Sequence, residues 1–378
     1  MLPATTDVLV VGAGPTGLTT AISLAGRGLD VIVADDQAEG ANTSRAAVVH
    51  ARTLEVLEPL GVSERLVAQG LHAPRFTIRD RNGILVSVRF DTLPTPYPYS
   101  LMISQAATER ELLRRLVELG GHVARPSTLV KLDQDGDGVT AMFDDGSEIS
   151  AKYLVGADGM HSTVRGQVGI DFDGGQHAES FSLTDVRLSD GMPADEVRLY
   201  FAPEGTMVVA PLPDGIFRIV AALDEAPAEP DIAFVQALLD SRGPSRGGPA
   251  VREVLWGSRF RVHHRVADTY RMGRVLLAGD AAHVHSPAGG QGMNTGILDA
   301  VALGGALAAA LDGDETALDS YEKSRRPAAV KVVSLADRLT RLATVRKGIR
   351  PLRNLALRAA SPVLRRELAW RLSGLVYR

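Results

Sequence analysis

The chain contains 378 residues, 45% of them hydrophobic and 23% charged, which is enough to bury a substantial core in two domains or in one large domain with an insertion. It contains no cysteine, so disulfides and thiolate metal sites are excluded, and no metal site is predicted. No apolar run approaches the ~20 residues of a membrane span, and the chain enters a strand without the basic segment of a signal peptide, which predicts a cytoplasmic protein.

The net charge of −4 conceals an uneven distribution. Residues 331–378 carry 12 basic and 2 acidic side chains, whereas the rest of the chain carries 29 and 43. A basic tail of this kind could bind nucleic acid or a membrane surface. Leucines recur within it at helical spacing, at Leu335, Leu339 and Leu342, which favours an amphipathic helix packed against an acidic body. We therefore predict no nucleic-acid partner.

The N-terminal region predicts a dinucleotide site. An apolar strand over Asp7 to Val11 leads directly into Gly12-Ala13-Gly14-Pro15-Thr16-Gly17, and a helix follows. A second strand, Val31 to Ala34, ends at Asp35, which lies 23 residues beyond Gly12. The glycines permit a tight turn and the close approach of a pyrophosphate, and the carboxylate accepts a hydrogen bond from a ribose hydroxyl.

Two later segments repeat the pattern of a buried strand followed by an acid. The strand from Tyr153 to Ala157 ends at Asp158-Gly159, and the strand from Val275 to Ala278 ends at Gly279-Asp280. Glycines at 289, 290 and 292 then open a helix. They let backbone approach a ligand closely, and the helix N-terminus presents N–H groups that suit an anionic or electron-rich group.

Short strands and prolines between these segments indicate excursions from the nucleotide domain. Residues 1–71, 101–175 and 270–330 are predicted to form a discontinuous nucleotide-binding domain. Residues 72–100 and 176–269 are predicted to form an inserted antiparallel sheet with one helix near Asp231 to Leu239. Residues 331–378 are predicted to form a helical C-terminal segment.

The glycine turn, the Asp158-Gly159 segment and the Gly279-Asp280 segment, in this order, resemble those of the single-component FAD-dependent aromatic hydroxylases (class A flavoprotein monooxygenases). The resemblance is greatest to bacterial hydroxylases of aromatic polyketides and phenols, and it extends to the closing Leu372-Ser373-Gly374-Leu375. It implies an α/β fold: a three-layer Rossmann-like FAD-binding domain with an inserted antiparallel-sheet substrate domain, like that of p-hydroxybenzoate hydroxylase, and a helical C-terminus.

The resemblance also implies which residues bind FAD: the glycine turn the pyrophosphate, Asp35 the ribose, Asp280 the ribityl chain, and the segment from Pro287 to Asn294 the isoalloxazine ring. The full implied set is Gly12, Gly14, Pro15, Thr16, Gly17, Asp35, Arg45, Gln105, Leu129, Asp158, Gly159, Asp280, Pro287, Gly290, Gly292, Met293 and Asn294. The chain departs from the family after this last helix, where it has Leu303-Gly304-Gly305-Ala306 in place of a tryptophan–lysine pair.

The implied reaction is the hydroxylation of an aromatic small molecule, phenolic or polyketide-type, through a flavin C4a-hydroperoxide, with NADPH or NADH as a transient co-substrate and O₂ as the oxidant. No residue has to be a catalytic acid or base, and His50, His283 and His285 are interpreted as structural. The inserted sheet should cover the flavin, and its candidate substrate-lining residues, for which core packing is an equally good interpretation, are Met207, Val209, Phe217 and Ile219. The protein is expected to be a monomer or homodimer.

Three alternatives share these sequence features. A Baeyer–Villiger-type oxygenation of a polyketide would use the same fold and cofactors. A flavin reductase that saturates double bonds would need no O₂. A flavin-bound regulatory protein would bind FAD without turnover.

Overall fold

A computed structural model describes residues 4–40, 46–287, 289–343, 345 and 347–378. Within these residues the strands are, in chain order, β1 (Thr5–Val11), β2 (Val31–Ala34), β3 (Val48–Val49), β4 (Leu71–Ala73), β5 (Arg75–Arg79), β6 (Ile84–Arg89), β7 (Ser100–Met102), β8 (Val123–Ala124), β9 (Leu129–Gln134), β10 (Val139–Phe143), β11 (Glu148–Gly156), β12 (Phe172–Leu188), β13 (Glu196–Ala202), β14 (Gly205–Leu212), β15 (Ile216–Leu223), β16 (Val251–Ala267), β17 (Arg271–Met272), β18 (Val275–Leu277) and β19 (His283–Val284). The α-helices are α1 (Pro15–Ala25), α2 (Ala51–Leu57), α3 (Ser63–Gln69), α4 (Gln105–Glu118), α5 (Thr163–Gln167), α6 (Ile232–Arg242), α7 (Gly292–Leu311), α8 (Thr316–Ala343) and α9 (Arg350–Leu372).

The first sheet has the strand order β17-β18-β11-β1-β2-β8, and a β9–β10 hairpin pairs with the first half of β11. The pairs β18–β11, β11–β1, β1–β2 and β2–β8 are parallel. Val8 to Val11 are buried, as expected of a strand in the middle of a parallel sheet covered on both faces. Helix α1 packs against α4 and α7. The α/β fold class that the sequence predicted is therefore confirmed.

The second sheet has the strand order β19-β16-β12-β15-β14-β13-β5-β6. Its antiparallel strands alternate side chains between two faces. The outer face packs on α6, and the inner face, which is the opposite one, carries Val208 and Ala210 in a cluster with Ala47 and Val48. A small sheet, β3-β7-β4, lies where this inner face meets the first domain.

The leucine spacing predicted an amphipathic helix packed against an acidic body, and the C-terminal region is helical. Helix α8 packs against α7 and β16. Helix α9 lies against β6 and contributes Leu357, Ala369 and Leu372 to a cluster with Phe201. Its opposite side exposes apolar side chains, including Leu352. The predicted division into domains stays a prediction, although its boundary at residue 330 falls inside α8, which continues across it without a break.

Helix α7 is long and apolar enough to span a membrane, although the sequence predicted no such segment. However, 67% of its most apolar stretch is buried inside the protein. Two glycines of α7 allow close contact with α1, and one of them, Gly304, lies where the family has the tryptophan–lysine pair. A Cβ on Gly304 would lie 2.3 Å from Ser23 Oγ, so the backbone of α7 approaches α1 more closely than a side chain would allow. A Cβ on Gly296 would likewise lie 2.4 Å from Thr16 Oγ1.

Candidate functional site

The acids and glycines predicted from the sequence lie along one edge of the first sheet. The strand residues Leu277, Gly156, Val11, Ala34 and Ala124 are paired in register across five parallel strands. Because the carboxyl ends of parallel strands meet at the same edge, the turns that follow these strands adjoin one another. The turns that carry Gly12, Asp35, Asp158 and Asp280 therefore form one continuous site.

The glycine turn leaves open space at the start of α1. Gly12 has φ +101°, and a Cβ there would lie 2.3 Å from the Ala157 carbonyl oxygen. A Cβ on Gly17 would lie 1.8 Å from the Gly12 carbonyl oxygen, so the helix can start this close to β1 only without a side chain. In contrast, a Cβ on Gly14 would meet nothing within 4 Å, and no side chain caps the helix there. The uncapped N–H groups and the open space fit a phosphate.

Asp35 reaches back towards this turn. Its Oδ2 accepts a hydrogen bond from the Ala13 N–H at 2.6 Å, and its Oδ1 accepts one from the Gln37 N–H at 3.1 Å. Arg125 Nε lies 3.3 Å from the same Oδ1. The carboxylate is thus fixed beside the open space, where the sequence placed the ribose.

Asp158 is held at the N-terminus of α5, where the Val164 N–H donates to its Oδ2 at 3.1 Å. Its Oδ1 is shielded from solvent and has no hydrogen-bond partner among the described residues. Burial raises the pKa of this carboxyl above its ordinary value. A buried acceptor without a donor is costly, and the hydroxyl or N–H groups of a bound ligand would satisfy it.

Asp280 is exposed in a 3₁₀ turn, Gly279–Ala281, that a buried network anchors. The Asp299 carboxylate on α7 accepts from His283 Nε2 at 2.5 Å and from Arg325 Nε at 2.7 Å, and the Gly279 N–H lies 3.4 Å from it. Burial alone would oppose ionisation of Asp299, but Arg325 and His283 hold its pKa below the ordinary value. The network fixes the turn from behind, which leaves Asp280 facing outwards at the site.

A second group of contacts fixes the backbone of the glycine-rich segment that leads into α7. Gly290 has φ +64°, and a Cβ there would lie 2.3 Å from Val48 Cγ1. The Asn294 side chain accepts from the His50 N–H at 2.8 Å and donates to the carbonyl oxygens of Val48 at 3.0 Å and Gly290 at 2.8 Å. His50 Nε2 lies 3.0 Å from the Gly289 carbonyl oxygen, and burial lowers the pKa of its ring to about 4. Asn294 and His50 therefore act on the backbone of this segment.

A family model described as an FAD-binding domain matches residues 5–336. The chain belongs to this FAD-binding family. Its cofactor is therefore FAD, and the prediction made from the glycine turn is confirmed.

Several proteins named as monooxygenases are similar along most of this chain. It is 39% identical over 357 residues to the 6-methylpretetramide 4-monooxygenase of Streptomyces rimosus, across 91% of this chain and 63% of that protein. It is 37% identical over 361 residues to a rifampicin monooxygenase of Streptomyces venezuelae, across 92% of this chain and 74% of that protein. The chain thus spans less than two thirds of the first relative and about three quarters of the second.

The structure of p-nitrophenol 4-monooxygenase from Pseudomonas putida DLL-E4 matches with a TM-score of 0.87 at 27% identity, over 99% of this chain and 98% of that one. This agreement extends over the second sheet and the C-terminal helices as well as the FAD-binding domain.

The residues present fit FAD from end to end. The open start of α1 beside Gly14 suits the pyrophosphate, and Asp35 adjoins it. The carboxylates of Asp158 and Asp280 lie along the same edge as acceptors for hydroxyl groups. At the far end, α7 begins at Gly292 without a side-chain cap, and a Cβ there would meet nothing within 4 Å. The individual contacts implied by the resemblance stay predictions.

The other implied residues take different positions. Arg45 lies outside the described residues. Gln105 is placed at the start of α4, where its Oε1 accepts from the Ala46 N–H at 3.2 Å. Leu129 is buried in the core at the first residue of β9, where it pairs with Phe143 of β10. Met293 is half-buried and Pro287 is exposed.

The four candidate substrate residues lie on the outer face of the second sheet. Met207, Val209, Phe217 and Ile219 are buried in a cluster with α6. Of the two interpretations that the sequence left open, the structure therefore shows core packing. Strand alternation revealed two faces in these strands, but it could not tell which face α6 would cover, because that depends on where the helix returns to the sheet.

A buried ion pair on the inner face was not anticipated from the sequence. Arg218 donates to both Asp185 oxygens, at 2.7 and 2.8 Å, and to the Ala46 carbonyl oxygen at 3.0 Å. The pair joins the centre of the second sheet to the segment that precedes β3. The available signal was the placement of one charged residue in the apolar strand Ile216–Leu223, at a position that alternates onto the inner face.

Proposed function

We propose that this protein is an FAD-dependent, NAD(P)H-driven monooxygenase that hydroxylates an aromatic small molecule of phenolic or polyketide type. The observation that carries the proposal is the apolar part of the inner face of the second sheet, which lies against Ala47 and Val48. Val48 contacts the Gly290 segment, which would hold the flavin ring. The monooxygenase names of the similar proteins support the same reaction type.

Bound FAD would supply hydride acceptance from NAD(P)H and activation of O₂, and one oxygen atom would enter the substrate while the other would leave as water. The overall stoichiometry is substrate, O₂, NAD(P)H and one proton in, and hydroxylated substrate, NAD(P)⁺ and water out. The aromatic ring is oxidised, and the nicotinamide supplies the two electrons that reduce the second oxygen atom.

The residues of this chain bind, orient and exclude water. The N-terminus of α7 presents backbone N–H groups without a side-chain cap, and these would stabilise negative charge on a flavin ring bound there. Val208, Ala210 and Val220 share the inner face and form an apolar surface beside the Arg218–Asp185 ion pair. Such a surface keeps water from the reacting oxygen.

The inner face also offers aromatic side chains. Phe181 and Phe260 are paired across β12 and β16, with ring centroids 5.6 Å apart and planes inclined by 19°. Phe181 lies on the same face as Asp185, because the register between them is unbroken. Aromatic rings of a flat substrate pack favourably against such a pair, which supports an aromatic substrate class.

Two measurements test the function. The purified protein should be yellow and should release FAD, not FMN, on denaturation. In a screen of phenols and aromatic polyketides, a substrate should accelerate NADPH or NADH oxidation and O₂ consumption, and product mass should increase by one oxygen atom.

Each alternative gives a different result in these measurements. Oxidation without O₂ consumption would indicate the flavin reductase, and no accelerated oxidation with any aromatic compound would favour the regulatory protein. Insertion of oxygen into a carbon–carbon bond, established from product connectivity, would indicate Baeyer–Villiger oxygenation.

A further inference from the structure

Arg125 stands at the same sheet edge as the FAD-binding turns, although no motif includes it. It directly follows β8, whose last residue, Ala124, pairs with Ala34 at the end of β2. The Asp35 N–H donates to the Ala124 carbonyl oxygen at 3.0 Å, so the residues that follow the two strands are neighbours. Arg125 is thus the fifth position in the row that includes Gly12 and Asp35.

The guanidinium connects two parts of the site. Its Nε lies 3.3 Å from Asp35 Oδ1, and its Nη2 donates to the Ala13 carbonyl oxygen at 3.3 Å. The first contact is to the acid placed at the ribose, and the second is to the pyrophosphate turn. Only 14% of the Arg125 side chain is exposed, so it lies within the wall of the site.

A structural ion pair does not fully account for this arrangement. Nε is shielded from solvent and makes no hydrogen bond among the described residues, since its approach to Asp35 lacks hydrogen-bond geometry. A partly buried guanidinium with an unused N–H is costly to hold at this edge. A ligand that supplies ring nitrogens, hydroxyls or phosphate oxygens would offset this cost, because the planar guanidinium both donates several hydrogen bonds and stacks on aromatic rings.

We propose that Arg125 is a binding residue for the adenosine diphosphate half of FAD. It fixes the Asp35 carboxylate for the ribose and offers its remaining N–H groups and its planar face to the adenosine and the adjacent phosphate. The proposal rests on FAD binding and is independent of the oxygenation reaction.

The test uses apo-protein and two ligands, FAD and ADP, the latter as a probe without flavin. FAD uptake is followed by flavin fluorescence, and ADP is titrated as a competitor. Arg125→Ala should raise the Kd for FAD and the inhibition constant for ADP by the same factor, about 10 to 100. Arg125→Lys should recover part of both losses, because it restores the charge but not the planar fork.

Two matched variants separate this role from others. Asp280→Ala, at the ribityl end, should weaken FAD while it leaves ADP competition unchanged. Arg110→Ala, an exposed arginine on α4, should change neither constant. If Arg125→Ala does not fold, Arg125→Gln keeps the hydrogen-bonding length without the charge, and a weaker ADP constant at an unchanged melting temperature would support the proposal.

Unchanged ADP competition in folded Arg125→Ala or Arg125→Gln would overturn the proposal, whatever happens to FAD. Failure of ADP to compete in the wild type would also overturn it, because the adenosine half would then contribute too little. None of these measurements involves turnover, so an absence of NADPH oxidation would count against the proposed function alone.

Discussion

At the scale of single residues, Asp280 makes the most direct prediction about FAD. It is exposed at the sheet edge, and its turn is anchored independently by Asp299. Asp280→Ala should therefore fold normally and lose the hydrogen bonds that ribityl hydroxyls donate to a carboxylate. We expect FAD to bind more weakly by roughly 1.5–3 kcal/mol, about one to two decades in Kd.

Fluorescence titration of apo-protein with FAD measures this loss. Asp312→Ala, an exposed acid at the end of α7, is the matched control and should leave the Kd unchanged. Unaltered FAD affinity in folded Asp280→Ala would mean that the residue only forms the turn.

The lowered pKa values of two histidines predict how the free energy of unfolding depends on pH. Burial lowers the pKa of His50 and of His285 from 6.5 to about 4. Between these values the unfolded state binds more protons than the folded state, so the free energy of unfolding should fall as pH falls from about 6.5 to 4. Each ring should cost up to about 2 kcal/mol at pH 5 relative to pH 7.5.

Urea unfolding at pH 7.5 and pH 5.0 checks this dependence. His50→Gln should show a smaller difference between the two pH values than the wild type, and His122→Gln, at an exposed position, should show the same difference as the wild type. An equal difference in all three proteins would contradict the assignment.

At the scale of elements, the contact between α1 and α7 depends on individual glycines. Gly304 faces Ser23, which is fully buried, whereas a Cβ on the adjacent Gly305 would lie 3.9 Å from the nearest atom, Arg27 Nη2. Gly304→Ala should lower the free energy of unfolding by about 1–3 kcal/mol, because the helices must separate. Gly305→Ala should raise it by up to about 1 kcal/mol through helix propensity alone.

Equilibrium unfolding of the two variants, side by side, separates packing from propensity, since the substitution and the helix are the same. The opposite order of stability would show that α7 can shift away from α1 without cost. The comparison also tests whether the glycines, which stand where the family has a tryptophan–lysine pair, set the helix spacing.

At the scale of the whole molecule, two substrates have to use one flavin. The sequence contains one complete dinucleotide-binding turn, so NAD(P)H has to reach the flavin transiently, while oxygen transfer requires that water be excluded. The segment at Ala46 contacts both the FAD-binding domain and the second sheet, so its position can affect both steps. Its N–H is bound by Gln105 from the first domain, and its carbonyl oxygen is bound by Arg218 from the second sheet.

We predict that flavin reduction by NADPH is slow alone and faster with an aromatic substrate bound. Ala46→Leu should slow reduction and leave FAD affinity nearly intact, because the larger side chain would hinder movement of a flavin ring held near Val48 and Gly290 while the main-chain hydrogen bonds of Ala46 persist. Stopped-flow absorbance with and without substrate measures both effects, and Ala359→Leu on the exposed side of α9 is the control. Equal reduction rates with and without substrate, in the wild type and in Ala46→Leu, would contradict the coupling but would not bear on FAD binding.

The sequence alone was sufficient to predict the fold class and the row of turns at one edge of the first sheet. Gly12 and Gly14 precede α1, and Gly17 lies in its first turn. The conformational requirements of these glycines are local, so their spacing is sufficient to predict the geometry of the turn. The same holds for Asp35, Asp158 and Asp280, each of which ends an apolar strand. Parallel strands then bring their carboxyl ends to one edge whatever the connections between them.

Only the tertiary structure decided the roles that depend on contacts between distant segments. Met207 and Phe217 were indistinguishable from inner-face residues until α6 covered their side of the sheet, because a period of two defines two faces without orienting them. Asp299 accepts a hydrogen bond from the turn that carries Asp280, and Asn294 donates one to the Val48 carbonyl oxygen. No local sequence pattern predicts these contacts. Arg125 follows only a two-residue strand, and it became a neighbour of Asp35 because the parallel register aligned Ala124 with Ala34.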